Sequence, residues 1–144
     1  MQIDAIDQKL LALLRDNART PVAELARALG LARTTVQARI ERLESTGAIT
    51  GYTLRASDLT RPPLRATVLV SVEPRSAPTV LGRLRSLTGV EVVHTTSGRF
   101  DLLVQVTAIT TSELDETLDH IGGARGVRSS ESLIHLATKI DRLG

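Results

Sequence analysis

The chain has 144 residues, 42% of them hydrophobic, with Tyr52 and Phe100 as the only aromatics, so any core is built from Leu, Val, Ile and Ala. The absence of cysteine excludes disulfides and thiolate metal sites. No apolar run approaches the roughly 18–20 residues of a membrane span and no basic-then-apolar leader opens the chain, which predicts a soluble cytoplasmic protein. The net charge is only +2, yet its placement is uneven. Met1–Arg61 carries nine Lys/Arg against seven Asp/Glu, and Leu64–Gly144 carries nine against nine.

A first helix is expected from Asp4 to about Asp16. Asp4 is its N-cap, Asp7 favours the positive end of the dipole, and Ile3, Ile6, Leu10, Leu13 and Leu14 form its buried stripe. Asn17–Ala18–Arg19 breaks the pattern. Thr20 then caps a second helix with Pro21 at its first position, where a missing N–H costs nothing. Leu25, Ala26 and Leu29 give that helix one apolar stripe, and small Ala26 permits a close crossing. Gly30 supplies the permissive backbone of a sharp turn. A third helix runs from about Ala32 to Ser45, buries Val36, Ile40 and Leu43, and stops at Gly47. Ala48–Leu54 reads as a short strand or wing. Residues 1–54 thus form a winged helix-turn-helix.

The outward side chains of the third helix are Arg33, Thr34, Thr35, Gln37, Arg39 and Arg42. They can reach phosphates and base edges in a DNA major groove. Thr34, Thr35 and Gln37, in the first turns, are the expected base readers. Arg42, with Arg19 from the preceding turn, is the expected phosphate binder. Double-stranded DNA is therefore the expected partner, and the positive surplus lies beside this helix pair.

Residues 55–64 form a polar connector stiffened by Pro62–Pro63. Beyond it, residues 65–144 alternate. Ala66–Val72 is a strand, and about Ala77–Leu87 a helix carrying Val80, Leu81, Leu84 and Leu87. Val90–Val93 begins a strand that continues toward Ser97. Ser97–Gly98–Arg99 is a turn, and Phe100–Val106 a third strand. Thr111 or Ser112 caps a helix with Leu114, Leu118 and Ile121 inward, Gly122–Gly123 stops it, and Val127–Thr138 supplies the last strand. The order β-α-β-β-α-β is the ferredoxin-like arrangement, so the fold class is α+β. Such a sheet has helices on one face, and self-association is the expected cover for the other.

The ordered set Asp4-x-x-Asp7-x-x-x-Leu11, Asn17–Ala18–Arg19, Glu24–Leu25–Ala26, Gly30–Leu31, Arg39–Ile40–Glu41–Arg42–Leu43–Glu44-x-x-Gly47–Ala48–Ile49 and Gly51–Tyr52 resembles the Lrp/AsnC family of transcriptional regulators. Ser97–Gly98–Arg99–Phe100–Asp101–Leu102–Leu103–Val104, Gly126–Val127 and Lys139 continue the resemblance to the end of the chain. It implies a homodimer through the C-terminal domains, assembling further into tetramers or octamers. It also implies an amino-acid or related effector bound near the loop between the second and third strands. That loop holds Gly98, Arg99, Phe100 and Asp101 here, with Ser130 and Ser132 as neighbours on the last strand. Many relatives carry Ser where this chain has Ala32, and losing a side-chain cap costs about 1 kcal/mol.

His94, His120 and His135 have no short metal-ligand spacing, so neither a metal site nor a cofactor is expected. Two other readings share the architecture. In a sirohaem decarboxylase-like enzyme, His94, Arg99 and His135 would line a tetrapyrrole pocket. An architectural protein would wrap DNA with no effector.

Overall fold

The computed structural model describes residues 2–57 and 59–143, and its first helix starts where a reciprocal cap holds it. The Asp4 carboxylate accepts from the Asp7 N–H at 2.8 Å, and the Asp7 carboxylate accepts from the Asp4 N–H at 3.3 Å. This capping box opens α1 (Ala5–Asp16). Helix α2 (Val22–Leu29) begins one residue later than expected. Pro21 has an extended ψ of 147° and is itself the N-cap, and the Thr20 hydroxyl donates back to the Asn17 carbonyl at 2.7 Å. Thr20 is thus part of the preceding turn and caps nothing in α2.

Gly30 ends α2 with a φ of 68°, and the Leu31 N–H reaches the Ala26 carbonyl at 2.9 Å. A residue with a Cβ in this left-handed conformation costs about 1 kcal/mol or more. Helix α3 (Arg33–Ser45) follows, with Ala32 at a cap position that makes no side-chain bond. The three helices close over Leu10, Leu25, Val36 and Leu43, all fully buried, joined by Leu14, Ala26 and Ile40.

The expected wing is not a strand. Thr50–Ser57 carries no ladder, because the helical unit offers no second strand among the described residues for its N–H and C=O groups to pair with. Its end is pinned differently: Arg55 Nη2 donates to the Asp16 carbonyl at 3.1 Å, placing a cation on the negative end of α1. The chain divides into two compact units between Arg55 and Ala56. The expected connector of residues 55–64 includes Asp58, which lies outside the described residues.

The second unit runs β1 (Leu64–Val72), α4 (Ala77–Arg85), β2 (Val90–Thr95), β3 (Leu102–Ala108), α5 (Thr111–Gly122) and β4 (Val127–Ile134). Its antiparallel sheet has the order β2-β3-β1-β4, the ferredoxin-like topology anticipated from sequence. Strand alternation sends Ala66, Val68 and Val70 of β1 and Leu102, Val104 and Val106 of β3 into the core, where Val80, Leu84, Leu114 and Ile121 of the helices meet them. Thr110, one residue earlier than expected, caps α5 by accepting from the Glu113 N–H at 3.2 Å.

The opposite sheet face carries neither α4 nor α5. On it Leu103, Leu69 and Glu131 form one cross-strand row, and Gln105, Thr67 and Leu133 the next. Thr67 Oγ1 donates to Gln105 Oε1 at 3.0 Å and pairs with His135 Nε2 at 2.8 Å. No helix among the described residues is long and apolar enough to cross a membrane.

Gly126 joins α5 to β4 with a φ of 96°, and its carbonyl accepts from the Glu73 N–H at 2.8 Å. A Cβ there would stand 2.6 Å from the Ser76 Cβ. Gly126→Ala is therefore expected to destabilise the second unit by at least about 2 kcal/mol. Gly82→Ala, within α4 and facing open space, is expected to stabilise it by about 0.5–1 kcal/mol. Thermal melts of both variants check this, and equal effects would refute the close approach at Gly126.

Candidate nucleic-acid interface and effector loop

Helix α3 turns Val36, Ile40 and Leu43 inward, and its helical period divides the remaining side chains into two ridges. Thr34, Thr35, Ala38, Arg39 and Arg42 line one open concavity of about 450 Å³. Gln37 lies on the neighbouring ridge, where its Nε2 donates to Glu41 Oε1 at 3.2 Å. The structure thus gathers four of the expected DNA-binding residues: Thr34, Thr35, Arg39 and Arg42. Arg33 and Gln37 stand outside that concavity. Arg19 also stands apart, exposed in the turn after α1, where its backbone N–H donates to Asn17 Oδ1 at 3.0 Å.

Arg39 and Arg42 are not free helix charges. Arg39 Nη1 donates to Asp4 Oδ2 at 2.8 Å and to Asp7 Oδ1 at 2.9 Å, and Arg42 Nη2 donates to Asp7 Oδ2. Asp7 is completely buried, the sole buried charged side chain among the described residues. Its carboxylate is fully engaged by the Asp4 N–H and the two guanidinium groups. Beyond the expected place of Asp7 at the positive end of the dipole, it pairs with both arginines. Both arginines also lock α1 onto α3.

The Asp7 N–H and then Arg39 hold the Asp4 carboxyl below the usual Asp range, and the two carboxylates hold Arg39 protonated beyond its already high range. The signal for Asp7 lay in its spacing. Ile3, Asp7, Leu10 and Leu14 fall on one helical stripe, so an acid interrupts an apolar face and has to find cationic partners.

In the second unit the β2–β3 loop is tied to the end of β1. The Asp101 N–H donates to the Val70 carbonyl at 2.8 Å, and Asp101 Oδ2 accepts from the Val72 N–H at 2.7 Å. The Thr96 hydroxyl donates to the Phe100 carbonyl at 2.7 Å, and the Arg99 guanidinium lies over the Phe100 ring, 5.1 Å from its centroid. Gly98 takes a φ of 100° at the tip. Asp101 is thus a sheet cap with one oxygen occupied.

Ser130 and Ser132 do not join this loop. They lie opposite Val70 and Val68 across β1 and face the helical side, where Ser130 Oγ is 3.2 Å from the place of a Cβ on Gly122. Two strand spacings, about 10 Å, separate Ser130 from Leu102 at the start of β3. The expected set of Gly98, Arg99, Asp101, Ser130 and Ser132 therefore splits into a loop group and a helix-side pair.

Residues 3–44 match the model of the AsnC-type helix-turn-helix domain, and residues 65–143 match that of the Lrp/AsnC ligand binding domain. The HTH-type transcriptional regulator LysM of Sulfurisphaera tokodaii is 34% identical over 135 residues, which is 93% of this chain and 95% of that protein. The structure of E. coli AsnC is similar with a TM-score of 0.87 and 28% identity, covering 99% of this chain and 97% of that one. A feast or famine regulatory protein from M. tuberculosis, solved complexed with L-methionine, gives 0.84 and 29%, covering 98% and 97%. These likenesses are to regulators, not enzymes. They favour a regulator over the tetrapyrrole alternative built on His94, Arg99 and His135.

The cap bond from the Asp7 N–H, together with the Arg39 ion pair, gives Asp4 a pH dependence. A carboxyl whose folded pKa is depressed adds stability above its unfolded value and loses that contribution as pH falls through the folded one. Asp4→Asn keeps an N-cap oxygen but no charge. The variant is expected to be less stable than the wild-type chain above the ordinary Asp value of 3.8, with the gap closing as pH falls below it. Denaturant melts across that range check this, and a gap that stays constant to low pH would rule out a depressed Asp4 carboxyl.

Proposed function

The chain belongs to the Lrp/AsnC family of transcriptional regulators, and on that premise we propose that it binds DNA sequence-specifically under the control of an amino-acid or similar small effector. What carries the reading is the concavity on α3, where Thr34 and Thr35 offer hydroxyls to base edges beside the guanidinium groups of Arg39 and Arg42. Arg33, Gln37 and Arg19 flank it as further contacts. Two such helices in a homodimer would enter successive major grooves about 34 Å apart on a pseudo-palindromic site.

The sheet face that carries neither α4 nor α5 is the surface we assign to self-association. Its Leu69 and Leu103 row, with partly exposed Val92 and Leu133 nearby, is apolar area that a second copy would remove from water. Tetramers or octamers would be built from that dimer. The effector region we assign to the β2–β3 loop. Gly98 leaves the backbone approachable, and Asp101 retains one carboxylate oxygen for an α-ammonium group. The M. tuberculosis relative complexed with L-methionine supports an amino acid as the ligand class. Effector and DNA would then be coupled reciprocally through the oligomer.

The test is a gel shift against DNA upstream of the chain's own gene, with non-specific competitor and a panel of amino acids. Competitor-resistant binding altered by one amino acid is the expected result. Resistant binding that no amino acid alters would favour the architectural reading. Asp101→Ala is expected to abolish the response and to destabilise the second unit by about 1 kcal/mol through the lost Val72 contact. Asp101→Asn restores the acceptor but not the charge, so it is expected to recover stability without recovering the response. Recovery of both would remove the ammonium contact.

A further inference from the structure

Asp4 and Asp7 stand three residues apart at the start of α1 and meet the recognition helix on different terms. Asp7 is wholly buried and touches both Arg39 and Arg42. The Asp4 side chain is half exposed and, of the two arginines, touches only Arg39, with both oxygens on the same Nη1 at 3.0 and 2.8 Å. Arg39 therefore commits one of its three nitrogens to these contacts, and Arg42 commits only Nη2. The Nε and Nη2 of Arg39 and the Nε and Nη1 of Arg42 make no hydrogen bond among the described residues. Both side chains border the concavity with Thr34 and Thr35.

We propose that Asp7 is a positioning residue for DNA binding and that Asp4 is an exchangeable stand-in for a DNA phosphate on Arg39. The inference rests on the DNA-binding reading above and adds two residues that touch no base or phosphate. A carboxylate and a phosphate present similar paired acceptor oxygens to a guanidinium group, so one can replace the other. Asp4 can leave because its charge re-enters water, and it can still cap α1 through the Asp7 N–H. Asp7 cannot leave, because its departure would strand a buried charge. Held by Asp7, Arg39 and Arg42 have already lost much of their rotamer freedom, so less is lost when phosphate arrives.

The two carboxylates consequently have opposite effects on affinity. Equilibrium binding of the full chain to a mixed-sequence duplex, measured over a salt series, reads this out. Asp4→Asn is expected to tighten binding about 3- to 10-fold. Asp7→Asn is expected to weaken it about 10-fold and to flatten the dependence on log salt by about one. General electrostatics alone would tighten both variants, since each loses a negative charge near DNA, and that result would overturn the proposal. An unchanged affinity in Asp4→Asn would overturn it as well.

Circular dichroism shows whether Asp7→Asn folds. If it does not, Asp4→Asn is repeated in an Arg39→Ala background. A gain that vanishes there supports the exchange, and one that persists overturns it. A wild-type chain that binds no duplex at any salt would instead reject the DNA-binding reading itself, a failure distinct from those above.

Discussion

The N-terminal unit depends on one buried carboxylate. Asp7 closes the α1 cap through its own side chain and, with the same two oxygens, receives guanidinium groups from two successive turns of α3. Removing one partner of a buried ion pair costs about 3–5 kcal/mol, less where a partner is partly exposed as Arg42 is. Against a typical total of about 5–15 kcal/mol, that is a large share for one residue. Three short helices over a core of about a dozen aliphatic side chains have little to spare. The atoms that keep α1 on α3 are also those that set the pose of Arg39 and Arg42. Stability of this unit and the shape of the concavity on α3 are therefore one property.

The second unit has a comparable economy at the end of β1. The strand bonds to β3 on one side and β4 on the other, and beyond Val70 its register on β4 slips between Ser71 and Val72. The Val72 N–H would be left without a β3 partner there, and the Asp101 carboxylate takes it. The β2–β3 loop thus shares Asp101 with the end of the central strand. Local changes in the loop are transmitted to the sheet through that hydrogen bond and through the Asp101 N–H to Val70.

Periodicity made the helices, strands and topology legible, because each apolar stripe has one face to bury. The Asp4 cap, the Gly30 turn and the β-α-β-β-α-β order could be read directly. Pairing beyond the local chain was less visible. The 48–54 segment has strand-like composition but no ladder partner, and composition says nothing about partners. Pro21 and Thr110 moved helix starts by one residue because a cap is decided by where a side chain finds its acceptor or donor. The helical period places Arg39 and Arg42 outward because it gives angle and not reach. A long guanidinium at the margin of the apolar stripe folds back to a carboxylate 32 or 35 residues away. Ser130 and Ser132 were placed beside the loop by sequence likeness, whereas strand alternation sends them to the helical side.

The sheet order also has a bearing on how the molecule is made. β1, the first strand of its unit to be synthesised, is central, and one of its neighbours is β4, the last. Until Val127–Ile134 exists, β1 has an open edge beside its core residues Val68 and Val70, and such an edge invites pairing with other chains. The helical unit, complete by Arg55, has no such dependence on distant sequence. During translation the two halves therefore differ: the first has its whole core once Arg55 is made, while the central strand of the second waits for β4 to cover its edge.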